Sequence, residues 1–137
     1  MAYQFANNQT AQSSFGLAPN VAALVSYIWI PVTSILVLVT EKENRAVRFH
    51  AFQSLFLGLG VFAFTIVLSI IIGVLTLVAG AVSASMGILV SIASLLVWLV
   101  IAVALLGVWI LCLVKAYRNE QYKLPIVGKI AERMANK

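Results

Sequence analysis

The chain has 137 residues, of which 63% are hydrophobic and 9% are charged, against about 25% charged residues in an ordinary soluble domain. So few charges cannot cover a water-facing surface, which indicates one integral membrane domain rather than a soluble module. Basic residues dominate and give a net charge of +5. They adjoin hydrophobic runs, so they favour contact with a membrane surface and argue against nucleic-acid binding. The single cysteine excludes an internal disulfide.

The N-terminal part of the sequence combines a polar tail with a first apolar run. Residues 1–18 are uncharged and rich in Asn, Gln and Ser, so we expect a flexible tail and no signal peptide. Residues 19–137 are expected to form one membrane domain. Residues 21–39 are uncharged and correspond to about 28 Å of helix, which predicts a first membrane span. Pro31, near the middle of this run, predicts a kink.

Residues 41–54 form the most polar segment between the apolar runs, and they carry five of the thirteen charged residues and the only histidine. Thr40 and Glu43 fit the capping box, in which each side chain accepts a hydrogen bond from the other residue's amide group. The pattern predicts a short interfacial helix after the first span, although a solvated turn with ordinary surface charges explains it equally well. The candidate residues of this loop motif are Glu41, Lys42, Glu43, Asn44, Arg45, Arg48, Phe49, His50, Gln53 and Ser54.

The second apolar run predicts a span over residues 51–80. Small and polar residues recur along it at steps of three, four or seven, which places them on one helix face. Small residues let membrane helices approach closely, so we expect this face to pack against another helix. Its members are Ser54, Gly58, Thr65, Ser69, Gly73, Thr76 and Gly80, continuing from His50. A small-residue turn at residues 79–87 then leads to a third predicted span at residues 88–114.

The positions of the basic residues predict how the chain is oriented. Three of the nine lie between the first two runs, and six lie from Lys115 onward. With three spans, both basic segments lie on the same side of the membrane, which the positive-inside rule makes the cytoplasm. We therefore expect the N-terminus outside and the C-terminus in the cytoplasm, in an inner (plasma) or thylakoid-type membrane.

The C-terminal residues 125–136 predict an amphipathic helix that Pro125 begins. Apolar residues share one face, and Lys129, Glu132 and Arg133 lie on the other. A basic amphipathic helix beside a membrane is typical of binding to anionic headgroups, and docking on a protein partner is the alternative.

The sequence shows no combination of side chains that indicates catalysis. No charged residue or histidine lies at the centre of a predicted span, which argues against a pump or coupled transporter. His50 has no nearby His, Cys or Asp, so we predict neither a metal site nor a cofactor and expect no enzyme activity. Instead, we expect His50, Gln53 and Ser54 to bond to chain ends around Tyr117 and Asn119.

Three stretches of the sequence resemble a known family of small membrane proteins. They are residues 17–31, residues 41–54, and residues 124–128 with Leu124, Pro125 and Gly128. Together they resemble the Tic-twenty-like group, which is related to a chloroplast inner-envelope import component, and the magnetosome membrane proteins MamF and MmsF look similar too. The resemblance covers roughly residues 16–135 and implies no catalytic residue.

Two functions follow from these observations. The small-residue face and the basic loops favour a non-enzymatic structural or interaction subunit that forms a homo-oligomer or joins a larger membrane complex. The resemblance implies an alternative, a component of protein translocation in which several copies or a partner form an import channel-like path.

Overall fold

The computed structural model describes residues 13–14 and 16–136, so the predicted polar tail lies mostly outside the described residues. Helices are the only regular elements in this part of the chain, which confirms the all-α class. The helices are α1 Pro19–Val25, α2 Val32–Thr40, α3 Arg45–Val82, α4 Ala84–Tyr117 and α5 Val127–Ala135.

In the described part of the chain, two helices, not three, are long and apolar enough to cross a membrane, so the predicted three-span architecture is wrong. These are α3 and α4, with 38 and 34 residues, and they contain the predicted spans at residues 51–80 and 88–114. The first run is divided into α1 and α2, with only seven and nine residues. Proline lacks the amide donor that a continuous helix needs, so Pro31 breaks the helix completely instead of kinking it. An N-terminus outside depended on this missing span, so that prediction loses its basis.

The segment that contains α1 and α2 returns to the place where it began. The backbone N–H of Ser14 donates a hydrogen bond to Glu41 Oε2 at 2.7 Å, and the Ser14 hydroxyl donates one to Glu41 Oε1 at 2.9 Å. Ser14 precedes α1 and Glu41 follows α2, so both ends of the apolar segment meet at one carboxylate. We call α1, α2 and the turn between them the N-terminal hairpin.

The start of α3 differs from the predicted capping box and from the predicted separate interfacial helix. Asn44 caps α3, because its Oδ1 accepts hydrogen bonds from the amides of Ala46 and Val47 at 3.1 and 3.3 Å. Thr40 instead ends α2, and its hydroxyl donates to the Leu36 carbonyl oxygen. The residues from Arg45 onward are therefore the first turns of the long helix α3.

A single residue, Ser83, separates α3 from α4 where a longer turn was predicted. Its hydroxyl oxygen accepts a hydrogen bond from the Met86 amide at 3.2 Å and caps α4. A Cβ atom on Gly87 would lie 2.9 Å from the Cα of Gly80, closer than side chains allow. Glycine at residue 87 is therefore required where the two helices begin to run side by side.

The chain divides into two compact groups of residues, Met1–Leu59 with Trp109–Lys137 and Gly60–Val108. We call the described residues of the first group the packed region and the second group the exposed region. The packed region has a hydrophobic core in which the N-terminal hairpin contacts α3 through Ala22, Val37, Val47 and Ala51. The exposed region has no fully buried residue at all, and its large apolar side chains lie on its surface.

The C-terminal helix α5 packs on its own chain. Ala131 and Ala135 are buried against Phe49 of α3, and Phe52 packs beside them. Gly128 is also buried, and Lys123 lies so close that there is no space for a side chain at this position. Ile130 and the basic residues of α5 remain exposed. The two partners considered for this helix, a lipid surface and another protein, therefore concern only its outer side.

Candidate functional site: a buried polar cluster

Polar side chains from several elements meet inside the packed region. His50, Gln53 and Ser54 lie on one face of α3, because positions three and four residues apart share a helix face. Tyr27, in the turn of the N-terminal hairpin, lies against them, and all four residues are at most 2% exposed. Burial of polar groups is costly unless they are hydrogen-bonded, so the contacts of these residues decide what the cluster does.

Gln53 connects the hairpin turn to the C-terminal segment. Its Nε2 donates to the Tyr27 hydroxyl at 3.2 Å, and its Oε1 accepts from the Leu124 amide at 3.3 Å. His50 Nδ1 lies 3.4 Å from the same Tyr27 hydroxyl. The structure therefore connects this part of α3 to Tyr27 and Leu124, and bonding to the chain ends around Tyr117 and Asn119 stays a prediction.

Three serines form the second half of the cluster, around the carbonyl group at the end of α1. The Ser26 carbonyl oxygen accepts from the Ser54 hydroxyl at 2.6 Å and lies 3.0 Å from the Ser34 hydroxyl. The two hydroxyls are 2.9 Å apart. Since the helix stops here, this carbonyl oxygen has no place in a regular helical ladder. Ser34 and Ser54 therefore replace the missing helical donor.

Trp109 of α4 serves the next carbonyl group in the same way. Its indole Nε1 donates to the Tyr27 carbonyl oxygen at 2.8 Å. The hydroxyl of Ser26 itself has no hydrogen-bond partner among the described residues. Sequence reasoning predicted a kink at Pro31, but it missed Ser26 and Ser34. The signal in the sequence was one serine on each side of Pro31 within a largely apolar run.

Glu41 is the charged member of the packed region, and it is 1% exposed. Besides Ser14, it accepts hydrogen bonds from the amides of Glu43 at 3.2 Å and Asn44 at 2.9 Å. Burial acts to raise the pKa of this carboxyl group. The hydrogen bonds from Asn44, Ser14 and Glu43 outweigh it, so the pKa of Glu41 lies below its usual value. The ionised carboxylate therefore ties the two ends of the N-terminal hairpin to the start of α3.

The predicted loop motif separates into a buried and an exposed set. Lys42, Glu43 and Arg45 are exposed, while the guanidinium of Arg48 lies 5.9 Å from the centre of the Phe52 ring. The buried members of the motif are Glu41, Asn44, Phe49, His50, Gln53 and Ser54. In the C-terminal motif, Leu124 and Gly128 are buried and Pro125 is exposed.

The predicted packing face of α3 also has several environments. Gly58 faces Ile30 of the N-terminal hairpin, and Gly80 approaches Gly87. The hydroxyls of Thr65 and Thr76 donate to carbonyl oxygens of their own helix. Ser69 is exposed, and a Cβ atom on Gly73 would meet nothing within 4 Å. Packing of Ser69 and Gly73 against a partner helix therefore stays a prediction.

The chemistry of the buried cluster is that of a hydrogen-bonded junction. In residues 13–14 and 16–136, no three His, Cys, Asp or Glu side chains are grouped as ligands for a metal ion. The donors of Gln53, Ser54 and Trp109 are used on the hairpin turn. The arrangement holds a broken helix against two long helices.

Comparison with known proteins shows the class of protein to which the chain belongs. The chain is 40% identical to a UPF0132 membrane protein of Archaeoglobus fulgidus over 117 residues, which cover 83% of this chain and 92% of that protein. Two UPF0132 membrane proteins of Methanocaldococcus jannaschii are 32% and 31% identical, over 89% and 88% of this chain and 93% and 72% of theirs. With its two long apolar helices, the chain is a helical membrane protein of this kind.

The chain belongs to the MamF/MmsF family, described as the magnetosome magnetite crystal formation protein family, whose sequence pattern matches residues 12–131. This match confirms the magnetosome part of the resemblance. The link to Tic-twenty-like import components stays a prediction. No solved structure matches the chain.

Proposed function

We propose that the protein is a non-enzymatic structural or interaction subunit of a membrane assembly, as a homo-oligomer or as part of a larger complex. The observation that carries the proposal is the open face around Ser69 and Gly73 in the exposed region, where a Cβ atom on Gly73 meets nothing. Small residues with free space beside them allow a second helix to approach closely in a membrane. The buried cluster supports the non-enzymatic part of the proposal, since its polar groups form hydrogen bonds that hold the hairpin turn in place.

The association is tested by filling the open face. Ser69→Leu and Gly73→Leu each place a large side chain where the partner helix would lie, so we expect loss of the native complex on sizing in mild detergent. Gly60→Leu is the matched control, because Gly60 is also open but lies on another side of α3. Native complexes of unchanged size in both test variants would contradict the proposal.

The proposed orientation follows from the basic residues. Lys42 and Arg45 lie before or at the start of α3, and Lys115 lies in the last turn of α4, so both basic segments belong to the packed region. The positive-inside rule supports a cytoplasmic location for them, in a plasma or thylakoid-type membrane. Their exposed side chains would contact anionic lipid headgroups there.

A further inference from the structure

The N-terminal hairpin carries an apolar outer face that nothing in the packed region covers. Trp29 is 70% exposed, Val39 is 67% exposed and Ile28 is 60% exposed. Val32, Ile35 and Leu36 are at least half exposed as well. No charged residue lies between Ala18 and Thr40. A surface of this kind is stable against lipid and unstable against water.

Several polar backbone groups at the hairpin turn are satisfied from inside the chain. The amides of Tyr27 and Ile28 donate to the carbonyls of Leu24 and Val25 at 3.0 and 3.2 Å. The Trp29 amide donates to the Thr33 hydroxyl at 3.2 Å, and its carbonyl accepts from the Thr33 amide at 3.0 Å. The carbonyls of Ser26 and Tyr27 have their side-chain donors.

These hydrogen bonds are of the kind that a hydrocarbon layer requires. An irregular backbone is tolerated at membrane depth only where protein groups replace the missing hydrogen bonds, since acyl chains offer none. In water, solvent would provide these bonds without help from Ser34, Ser54 and Trp109. The buried polar cluster thus provides hydrogen-bond donors that allow a helix to be broken inside a membrane.

The position of the turn along α3 gives its depth. Ile30, at the turn, lies directly against Gly58. Arg48 is the last charged residue before Gly58 and marks the headgroup level. Ten residues separate the two, or roughly 15 Å of helix. The turn therefore lies about half-way through a hydrocarbon layer of ~30 Å.

We propose that the N-terminal hairpin is a re-entrant element: it enters the acyl layer from the side that carries Glu41, turns at residues 26–31 and leaves on the same side. Its outer face is a contact surface for lipid acyl chains. The hydrogen bonds between Ser14 and Glu41 hold its two ends together at the membrane surface. This inference is independent of the proposed self-association through α3.

Single-cysteine labelling with a membrane-impermeant maleimide tests the topology, in a Cys112→Ala background and in membrane vesicles of known orientation. Ala18→Cys and Lys42→Cys report the two ends of the hairpin, and Ser85→Cys reports the link after α3. We expect residues 18 and 42 to be labelled from one side and residue 85 from the other. Labelling of residue 18 from the side of residue 85 would show that residues 21–39 span the membrane and would overturn the proposal.

The lipid contact is tested at the turn itself. Trp29→Cys is highly exposed on the protein surface, so it is expected to be protected from either side in vesicles and to react fully after detergent is added. Val32→Cys, on the same outer face, is a second reporter should the loss of the tryptophan disturb the turn. Labelling of either variant in intact vesicles would place the hairpin in water. Efficient disulfide formation between two copies at residue 29 would show that a second chain covers the face. Either result would overturn the proposal.

Discussion

Three helical serines use their hydroxyl groups differently in the two regions of the molecule. In the exposed region, Ser91 and Ser94 donate to carbonyl oxygens four residues earlier in their own helix, at 2.9 and 2.7 Å. In the packed region, Ser54 instead donates to the carbonyl group of a different element. In a continuous helix, the backbone groups already have hydrogen-bond partners, and a serine hydroxyl only satisfies itself by donating to a carbonyl group of the preceding turn. A broken helix needs donors, so the same residue type becomes part of the tertiary structure there.

The largest effect is expected at Gln53, because one side chain connects two distant segments of the packed region. Gln53→Leu leaves the Leu124 amide and the Tyr27 hydroxyl with fewer partners in a buried site. Each of the two lost partners costs about 1–3 kcal/mol, so we expect a stability loss of roughly 2–6 kcal/mol. The measurement is the midpoint of unfolding in detergent. Thr65→Val is the control, since the Thr65 hydroxyl bonds only within α3, and an equal loss there would remove the distinction between the regions.

A smaller effect is expected at Glu41 when the pH is lowered. Its pKa in the folded protein lies below the ordinary value. A carboxyl group with a depressed pKa stabilises the fold above its unfolded pKa of about 4.3, and this stability is lost as the pH falls through the folded pKa. A protonated carboxyl group still accepts some hydrogen bonds, which limits the loss.

The Glu41 contribution is measured as the unfolding midpoint between neutral and acidic pH. Glu41→Gln should flatten the acidic part of this profile, since glutamine does not titrate. Glu43→Gln, in the exposed set of the same loop, should leave the profile close to that of the parent chain. A profile that Glu41→Gln does not change would show that the carboxylate is not what ties the hairpin ends to α3.

The smallest effect separates two serines of similar size in the two regions. Ser54→Ala removes one donor from the Ser26 carbonyl group, which keeps its contact with Ser34, so a loss of about 1 kcal/mol is expected. Ser94→Ala removes a hydroxyl that serves only its own helix, and alanine is a better helix former, so stability should change little. The unfolding midpoints of the two variants give the comparison directly, and equal midpoints would contradict it.

The sequence predicted the long apolar helices well because their signal is local. An uninterrupted apolar run already specifies a membrane helix, and α3 and α4 contain the second and third predicted spans. The first run has the same composition and is not a span. The difference depends on partners far along the chain, since the hydrogen bond from Trp109 to Tyr27 connects residues 82 positions apart. No local pattern around Pro31 shows that such a partner is present.

The start of α3 shows the same limit at shorter range. Thr40 and Asn44 are both acceptable capping residues, and local rules favoured Thr40 because of Glu43. The structure uses Asn44, since the Glu41 carboxylate holds the loop from the other side through Ser14, which lies 27 residues earlier. Within the cluster, His50 and Ser54 were found from their spacing on one helix face, and Gln53 was found as a member of the loop motif. Their partners were not, because spacing on one helix does not identify what lies opposite.

The bond between Trp109 and the Tyr27 carbonyl group also sets an order of events during synthesis. The hairpin turn leaves the ribosome 82 residues before the indole that completes it. At about 5–20 residues per second, this delay lasts roughly 4–16 s. Throughout that time, the Tyr27 carbonyl group lacks its indole donor, which disfavours placing the hairpin turn in the acyl layer. The packing of the N-terminal hairpin is thus completed only after the last part of α4 has been synthesised.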